Sequence, residues 1–153
     1  MRNIVILIFI FGLILYGCNA FEAGSNNSKA EPYYINASRD NVIKAINQFK
    51  NEYPEYCPAI GFKLKDGYDI DTDGKNITTF YHVYYFNPQD SIYFITWITQ
   101  DDNKSIISLV SIQISNGSIF TVNDNLKGAK NDSVKNEFAT LIVNPIKKTL
   151  SGQ

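Results

Sequence analysis

The chain has 153 residues, with 14 Lys and Arg against 15 Asp and Glu, a formal net charge of −1 and 44% hydrophobic residues. A near-neutral chain without a basic block offers no electrostatic footprint for a phosphate backbone, which excludes nucleic acid as an expected partner. Two cysteines cannot build a disulfide framework, and the length suits one compact domain with its own core.

The first segment carries Arg2 and then an apolar run from Ile4 to Leu15. It is too short to stay in a bilayer as a spanning helix and has the pattern of a secretory signal. It ends in Leu15-Tyr16-Gly17-Cys18. That run resembles the lipobox of bacterial lipoprotein precursors, with Tyr16 where the family usually has a small residue. The resemblance implies acylation of the Cys18 thiol, with palmitate among the acyl chains, and cleavage in front of Cys18, so that residues 1–17 form the signal peptide. Each buried methylene contributes about 0.8 kcal/mol, so several chains hold a protein stably where one holds it reversibly. Asn19, instead of Asp, follows the cysteine. By the family's sorting rule this favours an outer membrane, with the domain facing the periplasm or the cell surface.

Residues 18–37 contain Gly24, Ser25, Asn26, Asn27, Ser28 and Pro32 without hydrophobic periodicity, and are expected to form a flexible tether. A coil of roughly 15 residues would keep the domain on the order of 20 Å from the membrane. Residues 38–153 then make a single domain. Ser38 is placed to cap a helix in which Val42, Ile46, Phe49 and Tyr53 recur at helical spacing, and Pro54 stops it.

Beyond Ile60 the pattern changes to β-branched and aromatic runs. Short strands are expected at Ile60 to Lys65 and Tyr68 to Ile70, followed by longer ones at Ile77 to Phe86, Ile92 to Thr99 and Ser105 to Ile114. The connections between the long strands are short, which makes them antiparallel. Asn116-Gly117 predicts a two-residue type I′ turn into a last strand reaching Val122. Ser133 is placed to cap a second helix bearing Val134, Phe138, Leu141 and Ile142, which Pro145 should kink or break. The expected fold is α+β: an antiparallel four- to six-stranded meander flanked by an N-terminal and a C-terminal helix.

Three groups of residues carry candidate chemistry. Asp69, Asp71, Asp73 and Gly74 form a D-x-D-x-D-G run, the opening of a calcium loop, but Phe80 stands where the bidentate glutamate is needed. A strand end turning at Asp73-Gly74 accounts for the same residues, so neither a metal nor any other cofactor is assigned. His82 is the sole histidine, and nothing in the sequence brings Cys57 to it; with no nucleophile elbow, phosphate loop or H-E-x-x-H run, an enzyme is not expected. Cys57 itself is expected to be buried, with an intermolecular disulfide as the alternative. Tyr81, Tyr84, Tyr85, Tyr93 and Trp97 crowd two adjacent strands, where alternation puts some on each face, Tyr81 and Tyr85 apart from Tyr84; an aromatic platform on a sheet face is the best candidate binding site, with cross-strand core pairing as the plainer account.

Asp90-Ser91-Ile92 and Asp132-Ser133-Val134 resemble the Asp-Ser/Thr-aliphatic acceptor of O-glycosylation in Bacteroidetes envelope proteins, although a helix cap explains Ser133 more simply. These features point to a membrane-anchored, non-catalytic module that binds another envelope protein; immunity against an envelope-targeted toxin is one such role. A small-ligand or calcium-binding lipoprotein and an envelope assembly or structural accessory protein are the alternatives.

Overall fold

The computed structural model describes residues 29–59 and 81–152. The expected strands at Ile60 to Lys65 and Tyr68 to Ile70, the Asp69, Asp71 and Asp73 run, and Cys18 lie outside the described residues. Five strands make one antiparallel sheet: β1 (Glu31–Ile35), β2 (Tyr81–Asn87), β3 (Ile92–Asp101), β4 (Lys104–Ile114) and β5 (Ile119–Thr121). β2, β3, β4 and β5 pair in chain order as a meander, and β1 joins the same edge of β4 as β5, end to end with it. Helix α1 (Arg39–Glu52) and a C-terminal helical segment cover one face of this α+β domain.

β1 corrects the tether. Glu31 to Ile35 is a strand, with Tyr33 opposite Ile107 and Ile35 opposite Ser105. Alternation turns Tyr33 and Ile35 to the helix side, where the Tyr33 ring meets that of Phe138 at 5.4 Å, tilted by 59°, and its hydroxyl donates to the Lys135 carbonyl at 2.9 Å. Pro32 removes one amide, which is tolerable only because β1 lies at a sheet edge.

α1 begins as expected. Ser38 is extended, and its carbonyl accepts the Val42 amide at 3.0 Å, although its hydroxyl makes no capping bond. Val42, Ala45, Ile46 and Phe49 are buried against Tyr85, Phe94, Ile98 and Ile107 on the sheet. A 3₁₀ turn at Pro54–Tyr56 follows, and Tyr56 stacks on Phe49 at 5.8 Å.

The hairpin after β4 corrects the type I′ turn. The Gly117 amide donates to the Ile114 carbonyl at 2.8 Å and the Ile114 amide to the Ser118 carbonyl at 3.0 Å, which closes a three-residue loop, Ser115-Asn116-Gly117. Only Gly117 of these has positive φ, at 83°, the arrangement of a type I turn followed by a left-handed glycine. Further along β4, the β3 register shifts between Ile95 and Thr96, leaving Val110 without an opposite residue. The Val110 carbonyl instead accepts the Val122 amide at 3.0 Å.

Helix α2 (Gly128–Phe138) starts five residues before Ser133, which therefore lies inside it and caps nothing. The preceding turn is held by Asn131, whose Oδ1 accepts the Asn123 amide at 3.0 Å. The chain then passes through one π turn, Ala139–Val143, into α3 (Asn144–Ser151). Pro145 neither breaks nor ends the helix. In the π turn the Asn144 amide reaches back five residues to the Ala139 carbonyl, a shift of pattern immediately before the position where proline has no amide to give. Phe138 is fully buried at the centre of this layer, 5.1 Å from the Phe94 ring and 5.9 Å from that of Tyr85.

Candidate functional site

The five candidate aromatics do not share a face. Register places Tyr81 opposite Ile98 and Tyr85 opposite Phe94 on the helix side; Tyr85 is wholly buried in the core and Tyr81 packs against it. Their aromatic surface is therefore spent on packing the helices, and a single platform of all five is ruled out by the two-residue period of a strand.

Tyr84, Tyr93 and Trp97 project from the face opposite the helices, together with His82, Phe86 and Ile95. There they form cross-strand pairs. The His82 and Trp97 rings are 5.4 Å apart, and those of Phe86 and Tyr93 4.9 Å apart. Between the two pairs, Tyr84 stands opposite Ile95, and both are buried. His82, Phe86, Tyr93 and Trp97 are half-buried. Burial holds the His82 imidazole below its ordinary pKa, so at neutral pH the ring is uncharged and suited to stacking. On the same face β1 presents Tyr34, 62% exposed and opposite Ile106.

Cys57 and His82 are not brought together. Cys57 is half-buried with its Sγ 3.6 Å from the Lys50 carbonyl of α1, on the helix side, whereas His82 points from the other face. Among the described residues no three His, Cys, Asp or Glu side chains converge as metal ligands. No helix among them is long and apolar enough to cross a membrane.

Sequence reasoning missed two polar clusters that only the fold assembles. One centres on Asn123, whose Nδ2 donates to the Lys29 carbonyl and to Glu31, while its Oδ1 accepts from Asn131 and Lys135. It ties β1 to α2. The other centres on Asn87, fully buried at the end of β2, whose Nδ2 donates to Glu137 at 2.7 Å and to Asp90 at 3.3 Å. A shallow groove lined by Gln89, Ser133, Asn136, Glu137, Thr140 and Leu141 runs beside it. The Asn87-Pro88 break marked a turn, but nothing in the sequence points from it to Glu137.

The fold and the site together define an α+β domain with one helix-covered sheet face and one aromatic sheet face. The chain matches no family model, and neither curated proteins nor solved structures give a match.

Proposed function

We propose that this chain is a lipid-anchored protein of the bacterial envelope that binds another envelope protein, without catalysis, through the sheet face opposite its helices. The observation that carries the binding surface is the pair of aromatic contacts on that face, His82 with Trp97 and Phe86 with Tyr93, flanked by exposed Tyr34. Large aromatics give the most contact area for the least side-chain entropy, which is why they dominate protein-binding hot spots. The anchor rests on the lipobox resemblance at Cys18.

A photoreactive residue placed at Tyr34 or Trp97 in cells should form one defined protein adduct, and the same residue at exposed Lys44 of α1 should form none. Adducts equally abundant from both faces, or absent from the sheet face, would overturn the binding surface. Cys18→Ala should abolish lipid labelling and release the protein from membranes; labelling that persists would overturn the anchor.

A further inference from the structure

We propose that Gln113 is the polar anchor of the sheet face opposite the helices, its side-chain carbonyl oxygen held for an uncharged N–H or O–H donor of the docked envelope protein. Register puts Phe86 of β2, Tyr93 of β3, Gln113 of β4 and Ile119 of β5 in one row across the sheet, all projecting from that face. Gln113 is 7% exposed, and its Oε1 is buried with no hydrogen-bond partner among the described residues. A carbonyl oxygen shut off from water and left unmet is costly, which is why buried side-chain acceptors are almost always paired. Nε2 lies 4.0 Å from the place a Cβ would take on Gly117, in the loop beyond the strand. The amide thus turns its nitrogen to the loop and its oxygen back over the sheet, towards Ser111, the next buried polar residue of β4 on that face.

The chemistry of the face selects the donor. Short of the Asp101–Lys104 hairpin, alternation brings no Asp, Glu, Lys or Arg of β2, β3 or β4 to that side. An ammonium or guanidinium brought to Oε1 would lose its water with no carboxylate to receive it, and one amide oxygen does not offset that cost. An indole N–H, a phenol or a side-chain amide gives up far less. An aromatic donor also brings apolar surface to the Phe86 and Tyr93 rings, which are 4.9 Å apart in the same row. Ile119, 37% exposed on a three-residue strand, is the neighbour that gives way as the donor enters. Gln113 acts in this way only if the sheet face is the docking surface proposed above.

The test compares full-length wild type with Gln113→Met and Gln113→Leu, each carrying the photoreactive residue p-benzoylphenylalanine at Tyr34, which stands opposite Ile106 at the other end of β4. Methionine keeps the length of the side chain and loses the acceptor. The protein adduct formed in cells at equal expression should fall about tenfold, the loss expected when a donor is left without its acceptor in an interface. The Tm of the purified chain in detergent should instead rise by about 4 °C, because the unmet acceptor is gone. A side chain that served only the fold would lower Tm, so a Tm that rises in neither variant would overturn the anchor. An adduct yield unchanged in both variants would overturn the anchor and leave the docking surface standing. No adduct from wild type, or an adduct to a glycan in place of a protein, would overturn the docking surface and the anchor with it.

Discussion

Phe138→Ala is the substitution whose cost the structure sets most directly. The ring is fully buried and meets Tyr33, Tyr85 and Phe94 with centroids at 5.4, 5.9 and 5.1 Å, so it joins α2 to β1, β2 and β3 at once. Removing a core phenylalanine costs about 3–5 kcal/mol, from lost transfer energy and from the cavity left behind. Three rigid aromatic neighbours collapse poorly into that space, which places the expected loss at about 4 kcal/mol, a large share of the roughly 5–15 kcal/mol that holds a domain folded. At about 4 °C per kcal/mol for a domain of this size, Tm should fall by about 15 °C. Phe138→Leu keeps most of the volume and loses the ring-edge contacts, at a cost of about 1 kcal/mol. Urea unfolding of the full chain, followed by the fluorescence of Trp97, the single tryptophan, gives both values. The midpoint should move without a change in slope. A loss below about 1 kcal/mol for Phe138→Ala, the range of surface substitutions, would refute the packing of α2 on the sheet.

The remaining predictions concern the Asn123 clasp and the His82 pair. Asn123 has φ of 58° and joins Lys29 and Glu31 to α2, so Asn123→Ala loses both the hydrogen bonds and the tolerance for left-handed backbone, whereas Asn123→Gly loses only the bonds. Alanine should be the more destabilising by about 1 kcal/mol, with faster hydrogen exchange at Tyr33 and Ile35; glycine being the worse would refute the strain argument. Burial lowers the His82 pKa, so the unfolded chain binds that proton more readily than the folded one. His82 thus contributes stability that is present above the ordinary histidine range and is lost as pH falls through it. The Tm of wild type relative to His82→Phe, which retains a ring against Trp97, should fall between about pH 7.5 and pH 5.5; a rise would refute the sign.

Much of the fold was legible because it follows from short-range rules. The stripe of Val42, Ile46 and Phe49 gave α1 and its buried face, and the alternation along Tyr81 to Phe86 correctly separated the two faces of β2. The errors have particular causes. The sequence of β1 resembles a tether because its five residues include Pro32 and lack a clean alternation; it becomes a strand only because β4 offers a free edge and Phe138 a ring for Tyr33 to meet. Asn116-Gly117 signalled a hairpin but not its loop length, which Ile114 and Ser118 fix by pairing across three residues. Ser133 satisfied every local criterion for a cap, yet the helix begins earlier, where Asn123 and Asn131 bind each other across the turn.

The sequence by itself determined the α+β class, the order of the described helices and long strands, and the lipobox resemblance, since periodicity, turn chemistry and a contiguous motif are all read along the chain. The tertiary structure decided which sheet face the helices cover and the register that sets Tyr93 and Trp97 beside Tyr84, leaving Tyr81 and Tyr85 to pack the core. It alone joined Asn87 to Glu137, fifty residues away, and Asn123 to Lys29. Polar partners at such separations leave no periodic trace; they meet only after helix and sheet have packed, when a buried amide must find its acceptors or lose the hydrogen bonds that water gave it.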